Sequence, residues 1–379
     1  MEISLTQQAL LYLLNCAVND RVMEELPPEV DFEELYKLSK SHSVAAMVSY
    51  ALDKGGYLKT ECMTQELIQK WASARIGAIR KNLMFDAERK EIFRHLEEIG
   101  CWYMPLKGVV LKEMYPDVGM REMADNDILF DHNFRKSLKD YMVNRGYKVK
   151  IYGNYVHDLY MKQPFYNFEM HIALFSDGSR DNWFEYYKNI KKSLCKDNQN
   201  RFGYHFTDED FYIYITAHTY KHYKGGGTGI RSFVDTYVYL KNRMDALDWE
   251  YITKETSHIG MEEFESESRK FVQRLFCEEN TFLDMQPKRE REAELLAYIL
   301  GSGTYGTVIN RVQNDISGIM RVEKMSFSIK LIYCIQRMFP GMNYMRKQKP
   351  FFWIYRLFVF PITHRKKIWA EIRTLVKLQ

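Results

Sequence analysis

The chain has 379 residues, too many for one small core and enough for two or three units. Hydrophobic residues make up 46% and charged residues 27%, which excludes a disordered chain, and a formal net charge of +4 is too small to imply a nucleic-acid partner. Six dispersed cysteines with no CxxC pair argue against a structural zinc and a disulfide framework, and fit reduced thiols in a cytoplasmic protein.

Residues 4–20 carry helical periodicity in Leu10, Leu11, Leu13, Leu14 and Ala17. The run has no basic start and is broken early by polar residues, so it reads as a buried helix and not as a signal peptide. No stretch of ~18 apolar residues occurs, so no transmembrane segment is expected. Residues 32–52 form a second helical region, broken near Ser41-His42-Ser43. Residues 64–99 are one long amphipathic helix, with Leu67, Trp71, Ile76, Ile79, Leu83, Phe85, Ile92 and Leu96 recurring and Gly100 as its cap. Residues 1–99 hold no cluster of chemistry-bearing side chains and are expected to be a helical cover.

Short elements follow. Residues 101–104 are apolar and aromatic and read as a strand, 108–114 as a helix, 125–130 as a second strand, and 133–145 as a helix stopped by Gly146. Residues 148–152 and 156–161 alternate around Gly153-Asn154, a hairpin signal. Residues 165–175 read as the next strand, with Glu169 and His171 on one face and Phe168, Met170 and Ile172 on the other. Helical patterns then resume at Asp208, Ile230, Asp248, Met261, Glu290 and Ser326.

The stretch from Leu106 to Phe130 concentrates the chemistry. Lys107-Gly108 ends an apolar run, Arg121 follows, and Asp125-Asn126-Asp127 opens a strand anchored by Ile128, Leu129 and Phe130. Alternation along a strand points Asp125 and Asp127 the same way, about 7 Å apart from a rise of ~3.3 Å per residue. Carboxylates that close raise each other's pKa and stay ionised together when cations lie between them. The alternative is an Asx turn capping the strand.

Lys-Gly, a spacer, Arg and Asp-x-Asp resemble the uncharacterised bacterial nucleotidyltransferase family of the DNA polymerase β-like superfamily, whose members often sit in gene clusters for surface polysaccharides. The resemblance runs from about Leu35 to the C-terminus. Lys107-Gly108 stands where most relatives have Gly-Ser. The resemblance implies an α+β fold: a small mixed sheet over residues 100–175 between helical regions over 1–99 and 176–379. It implies transfer of a nucleotidyl group from a nucleoside triphosphate to a hydroxyl or phosphate acceptor, with two Mg²⁺ ions held by Asp125 and Asp127 and with Glu169, followed by x-His171, as third carboxylate. Lys107, Gly108 and Arg121 would face phosphate. For Arg121, salt bridges to Glu122 or to the aspartates are the plainer alternative. His218, Lys221, His222, Arg231 and Asp235 match, by type and order, a second patch of the family that closes over the nucleotide. Their alternative is a buried network in which Arg231 pairs with Asp235. A His-x-x-x-His zinc site lacks a third ligand.

Two other features are weaker. Residues 301–306, GSGTYG, fit GxGxxG but follow a helical segment, where a dinucleotide fingerprint requires a strand. Residues 346–379 carry nine Lys/Arg and one Glu among aromatics. A helical segment packed by its aromatics is the favoured expectation there, and contact with a membrane surface or nucleic acid is the alternative. Two further functional classes stay open: a non-catalytic nucleotide-binding or assembly protein that kept the fold, and a nucleotidylating toxin acting on RNA or protein.

Overall fold

A computed structural model describes residues 2–176, 182–317, 369–371, 373 and 374. The chain divides into two compact units, Met1–His218 with Ile230–Ala297, and Thr219–Gly229 with Tyr298–Gln379.

The first unit begins with α1 (Leu5–Val18), started by a capping box in which the Ser4 hydroxyl accepts from the Gln7 amide and the Gln7 side chain accepts from the Ser4 amide. From Gln8 to Val18 every residue of α1 is buried, so this helix is core and not cover. Asn15 donates to the Leu275 and Cys277 carbonyls, and Asn19 to that of Phe276, tying the first helix to the far end of the unit. The break expected near Ser41-His42-Ser43 separates α2 (Phe32–Ser41) from α3 (Ala45–Lys54). The long helix α4 (Gln65–Glu98) starts at Thr64, whose hydroxyl accepts from the Leu67 amide.

Among the described residues one five-stranded mixed sheet forms, in the order β1-β2-β5-β4-β3. The strands are β1 (Tyr103–Pro105), β2 (Asn126–Phe130), β3 (Lys148–Ile151), β4 (His157–Lys162) and β5 (Tyr166–His171). β2 and β5 run parallel, and the other pairings are antiparallel. Short α5 (Gly108–Leu111) follows β1, and α6 (Arg135–Asn144) follows β2. One sheet face is apolar: Tyr103, Ile128, Phe130, Tyr160, Phe168 and Met170 pack on Ile92 and Leu96 of α4 and on Leu138 and Met142 of α6. Alternation therefore turns Asp127, Glu169 and His171 to the other face, as the sequence predicts. β5 is shorter than expected, ending at His171.

Beyond the sheet come α7 (Trp183–Tyr187), a small ladder of β6 (Cys195–Lys196) with β7 (Tyr204–His205), then α8 (Asp208–Gly225), α9 (Ile230–Arg243), α10 (Trp249–His258), α11 (Glu262–Leu275), α12 (Glu290–Ser302) and α13 (Val308–Ser317). α7, α13 and the small ladder are not among the elements expected from the sequence. Together these elements give the α+β architecture of a nucleotidyltransferase core with flanking helices.

In the second unit the two glycine-rich stretches meet. The Thr307 amide donates to the Gly226 carbonyl at 2.8 Å, and a Cβ on Gly306 would lie 2.3 Å from that carbonyl oxygen. GSGTYG begins on the last two residues of helix α12, not after a strand, and its last glycine permits close backbone contact with Gly226. No helix among the described residues is long and apolar enough to cross a membrane. The helix expected from Ser326 and the tail expectations for residues 346–379 lie outside the described residues, save for 369–371, 373 and 374, which are helical.

Candidate active site

Register builds the site. The parallel pairing sets Asp127 of β2 opposite Glu169 of β5, and the antiparallel pairing sets His171 of β5 opposite His157 of β4. Three adjacent strands thus present Asp127, Glu169 with His171, and His157 on one face. The start of β2 is fixed from behind: Arg89 of α4 donates to the Asn126 side chain at 2.8 Å. Asp125 stands just ahead of the strand, less buried than Asp127.

The His171 Nε2 lies 2.8 Å from Asp127 Oδ1 and 3.6 Å from Glu169 Oε2. Lys107 Nζ reaches the same Asp127 oxygen at 2.9 Å. Burial alone would raise the Asp127 pKa, but Lys107 and the His171 hydrogen bond pull it far below the carboxylate range. Among the described residues Asp125 makes no hydrogen bond, and the pull of Lys107 on it is outweighed. Burial first, then the Asp127 charge, push its carboxyl up to about 6. Glu169 is held low, mainly by its bond from His171. Burial depresses His171 but its two carboxylate partners outweigh that and raise it. Lys107 behaves alike: burial opposes its charge, and Asp127 more than restores it.

The turn carrying Lys107 is strained. Lys107 has φ 45° and ψ −117°, and the Val109 amide donates to the Leu106 carbonyl at 3.1 Å. That is the first central position of a type II′ turn, which normally takes glycine. A non-glycine residue there stores about 1–3 kcal/mol and persists where its surroundings over-determine it. Here the Leu106 amide donates to the Asp127 carbonyl at 3.0 Å while the Lys107 ammonium holds the Asp127 side chain.

Gly108 is required for a different reason. A Cβ there would sit 2.1 Å from Arg121 Nη1. The Arg121 guanidinium fills the space that a serine in this position would take. It is locked by Asp235 of α9, Nε to Oδ1 at 2.8 Å and Nη2 to Oδ2 at 2.9 Å, and Tyr115 donates to the same carboxylate. This corrects both alternatives for these residues. Arg121 pairs with neither Glu122 nor the aspartates, and the partner of Asp235 is Arg121 and not Arg231. Glu122 instead accepts from the Ala46 amide at the start of α3, and Arg231 donates to the Glu122 carbonyl at 3.2 Å. The planar fork of Arg121 matches a carboxylate two atoms wide, which explains why Asp235 wins.

A nucleotidyltransferase family model, described as uncharacterised, matches residues 28–277, about two thirds of the chain. The chain belongs to the uncharacterised nucleotidyltransferase family. No curated protein and no solved structure matches it. In this nucleotidyltransferase the matched span holds every site residue read from the sequence.

Their placements differ. Lys107, Asp127, Glu169 and His171 meet directly, and Asp125 shares their electrostatic field. Arg121 and Asp235 form a buried clamp beside Gly108. His218 lies on α8, its ring 6.4 Å from that of Tyr214. Tyr214 is buried and raised mainly by burial, and it feels Lys107, Asp127 and Glu169. Lys221 and His222 lie on the last turns of α8, in the second unit.

Sequence reasoning missed three residues. His157 and Tyr214 are named above. The third is Lys81 of α4, whose ammonium lies over the Phe85 and Phe165 rings, is lowered by burial, and feels Asp125. No local pattern marks Lys81 or Tyr214. Counting back along the β4–β5 hairpin from Lys162↔Tyr166 finds His157 opposite His171.

The donor set suits a divalent cation. Three buried or half-buried carboxylates converge and are balanced here by Lys107 and His171, as hard oxygen ligands are by a metal.

Proposed function

We propose that the protein transfers a nucleotidyl group from a nucleoside triphosphate to a hydroxyl or phosphate acceptor, with Asp125, Asp127 and Glu169 holding Mg²⁺. The observation that carries this is the in-register pairing of Asp127 with Glu169, which supplies the third carboxylate beside the Asp-x-Asp pair. Bound there, two Mg²⁺ ions would neutralise phosphate charge and sharpen the nucleophile. Glu169 receives the proton of the acceptor hydroxyl as its oxygen bonds to the α-phosphorus, and pyrophosphate departs as the α–β bridge breaks. Lys107 and Lys81, cations in the field of Asp127 and Asp125, would meet the charge of the departing pyrophosphate. His171 orients Asp127 and Glu169 through one nitrogen. Arg121 and Asp235 support the Lys107-Gly108 turn and do not touch phosphate, while Arg231 and His218 serve the nucleotide-closing patch. The acceptor is a building block of surface polysaccharide, and the protein works in the cytoplasm.

One observation favours a second reading, a nucleotide-binding protein without catalysis. The superfamily's Gly-Ser is replaced by a lysine in a strained turn and a glycine against which Arg121 packs. Titrating Mg-ATP and Mg-CTP calorimetrically into wild type and Asp125→Ala/Asp127→Ala tests the site common to both. Binding by wild type alone supports it, and equal binding by both removes it. Pyrophosphate release on adding acceptor then separates enzyme from sensor. A toxin would arrest growth on expression and lose that effect in Asp127→Ala.

A further inference from the structure

Not every donor on the site face is an oxygen. His157 Nε2 lies 4.0 Å from Glu169 Oε2, and His171 Nε2 lies 3.6 Å from the same oxygen. One ligand atom from each of the three residues falls within 4.8 Å of the others. The rings face each other at 5.1 Å between centroids. With metal–ligand bonds of ~2.1 Å, neighbouring ligands of a tetrahedral ion lie about 3.4 Å apart. The observed separations approach that value before any ion draws them in. Asp127 Oδ1, 2.8 Å from His171 Nε2, offers a fourth ligand.

His157 is the informative residue. It is half-buried, its Nδ1 is fully buried without a partner, and among the described residues neither ring nitrogen makes a hydrogen bond. His171 is 5% exposed, and its Nδ1 also lacks a partner. A buried imidazole is ordinarily kept by a hydrogen bond that repays its desolvation. His171 is kept by its Nε2 bond to Asp127, but His157, turned toward the same Glu169 oxygen, lacks that explanation. Imidazole nitrogen is a poor ligand for Mg²⁺, which prefers oxygen, and a good one for Mn²⁺, Co²⁺ and Zn²⁺.

We propose that His157, Glu169 and His171, with Asp127 as shared ligand, form a site selective for a borderline divalent transition ion over Mg²⁺, beside the carboxylate pair. Asp125, which shares the electrostatic field of Asp127, stays outside this donor set and free to serve Mg²⁺. The role of the site rests on the nucleotidyl-transfer function proposed above, because the ion would share Glu169 with the acceptor-activating position. Its existence does not.

The test uses the untagged full chain without nucleotide, titrated with cobalt(II) chloride and followed by visible absorption and calorimetry. The expected result is one tight Co²⁺ equivalent, with absorption far stronger than that of the aqua ion and an affinity well above that for Mg²⁺. His157→Gln, checked for unchanged circular dichroism, should lose at least ~10-fold in Co²⁺ affinity. Its Mg²⁺ affinity should stay within about twofold, because Asp125 and Asp127 are untouched. If His157→Gln misfolds, competition between Mg²⁺ and Co²⁺ on wild type decides: Co²⁺ displaced only by large Mg²⁺ excess supports the site. Equal affinities for the two ions, or a His157→Gln variant binding Co²⁺ like wild type, overturn it. A protein that takes Co²⁺ through His157 yet binds no triphosphate retains this site and loses the function above. Triphosphate binding with no Co²⁺ preference does the reverse.

Discussion

At the scale of single residues, the site is a set of opposed charges that a cation would rearrange. Asp125 has a folded pKa raised to about 6, by burial and then by Asp127. A raised folded value means that its contribution to stability is complete below the ordinary carboxylate range and lost as pH rises through about 6. His171, also raised, extends that loss above its ordinary value. Asp127 and Glu169 are held low, so their contribution is present from neutral pH down to the ordinary carboxylate range and lost only on stronger acidification. Between pH 5 and 7, therefore, the metal-free site weakens as pH rises, and a cation that takes the place of the Asp125 proton offsets this. Mg²⁺ affinity should climb by up to about tenfold per pH unit below ~6 and level off above it. Calorimetry at pH 5, 6 and 7 measures this, and a flat profile contradicts the assignment of Asp125 as a ligand. Lys107→Gly separates strain from charge. Glycine relaxes the turn at φ 45°, but loss of the ammonium leaves the buried Asp127 carboxylate with His171 alone, so Tm should fall, less than in Lys107→Ala, and triphosphate affinity should fall at least ~10-fold through loss of a phosphate contact.

Among elements, the clamp between Arg121 and α9 governs the loop that carries Lys107-Gly108. Both side chains are close to fully buried, so removing one partner strands the other charge. Asp235→Asn should destabilise the protein by ~3–5 kcal/mol, read by denaturant unfolding, and it should weaken triphosphate binding indirectly by loosening the turn beside Gly108. Gly108→Ser, which restores the superfamily's residue, should be destabilising here because its Cβ meets the Arg121 guanidinium. The sequence showed why β2 and β5 each turn one face to the core: Ile128 and Phe130, and Phe168 and Met170, alternate with Asp127, Leu129, Glu169 and His171. It could not show that Asp235 answers Arg121, because a pairing across 114 residues leaves no periodic trace. Lys81 was invisible for the same reason, being one of many lysines on a long helix. His157 was legible in principle, since a hairpin register can be counted from its turn. Gly153-Asn154 marks the β3–β4 hairpin, which forms as expected, whereas the register that sets His157 opposite His171 is counted from the β4–β5 turn.

For the molecule as a whole, α1 is bound to the end of α11 through Asn15 and Asn19, so the N-terminal helices and α9–α11 belong to one unit with the sheet. Asn15 lies fully buried and bonds two backbone carbonyls, so Asn15→Leu should leave both unsatisfied. A loss of about 1–3 kcal/mol is expected in a single cooperative transition, whereas an early separate transition would show that the helices before the sheet fold independently. On the proposed function, the face bearing Asp125, Asp127 and Glu169 cleaves the bridge between the α- and β-phosphorus atoms. Incubating the full chain with α-labelled nucleoside triphosphates, Mg²⁺ and a cell extract as acceptor pool tests it most directly. The account predicts pyrophosphate released in equal amount to label transferred, with both absent in Asp127→Asn. Orthophosphate release instead, or an Asp127→Asn variant as productive as wild type, contradicts it.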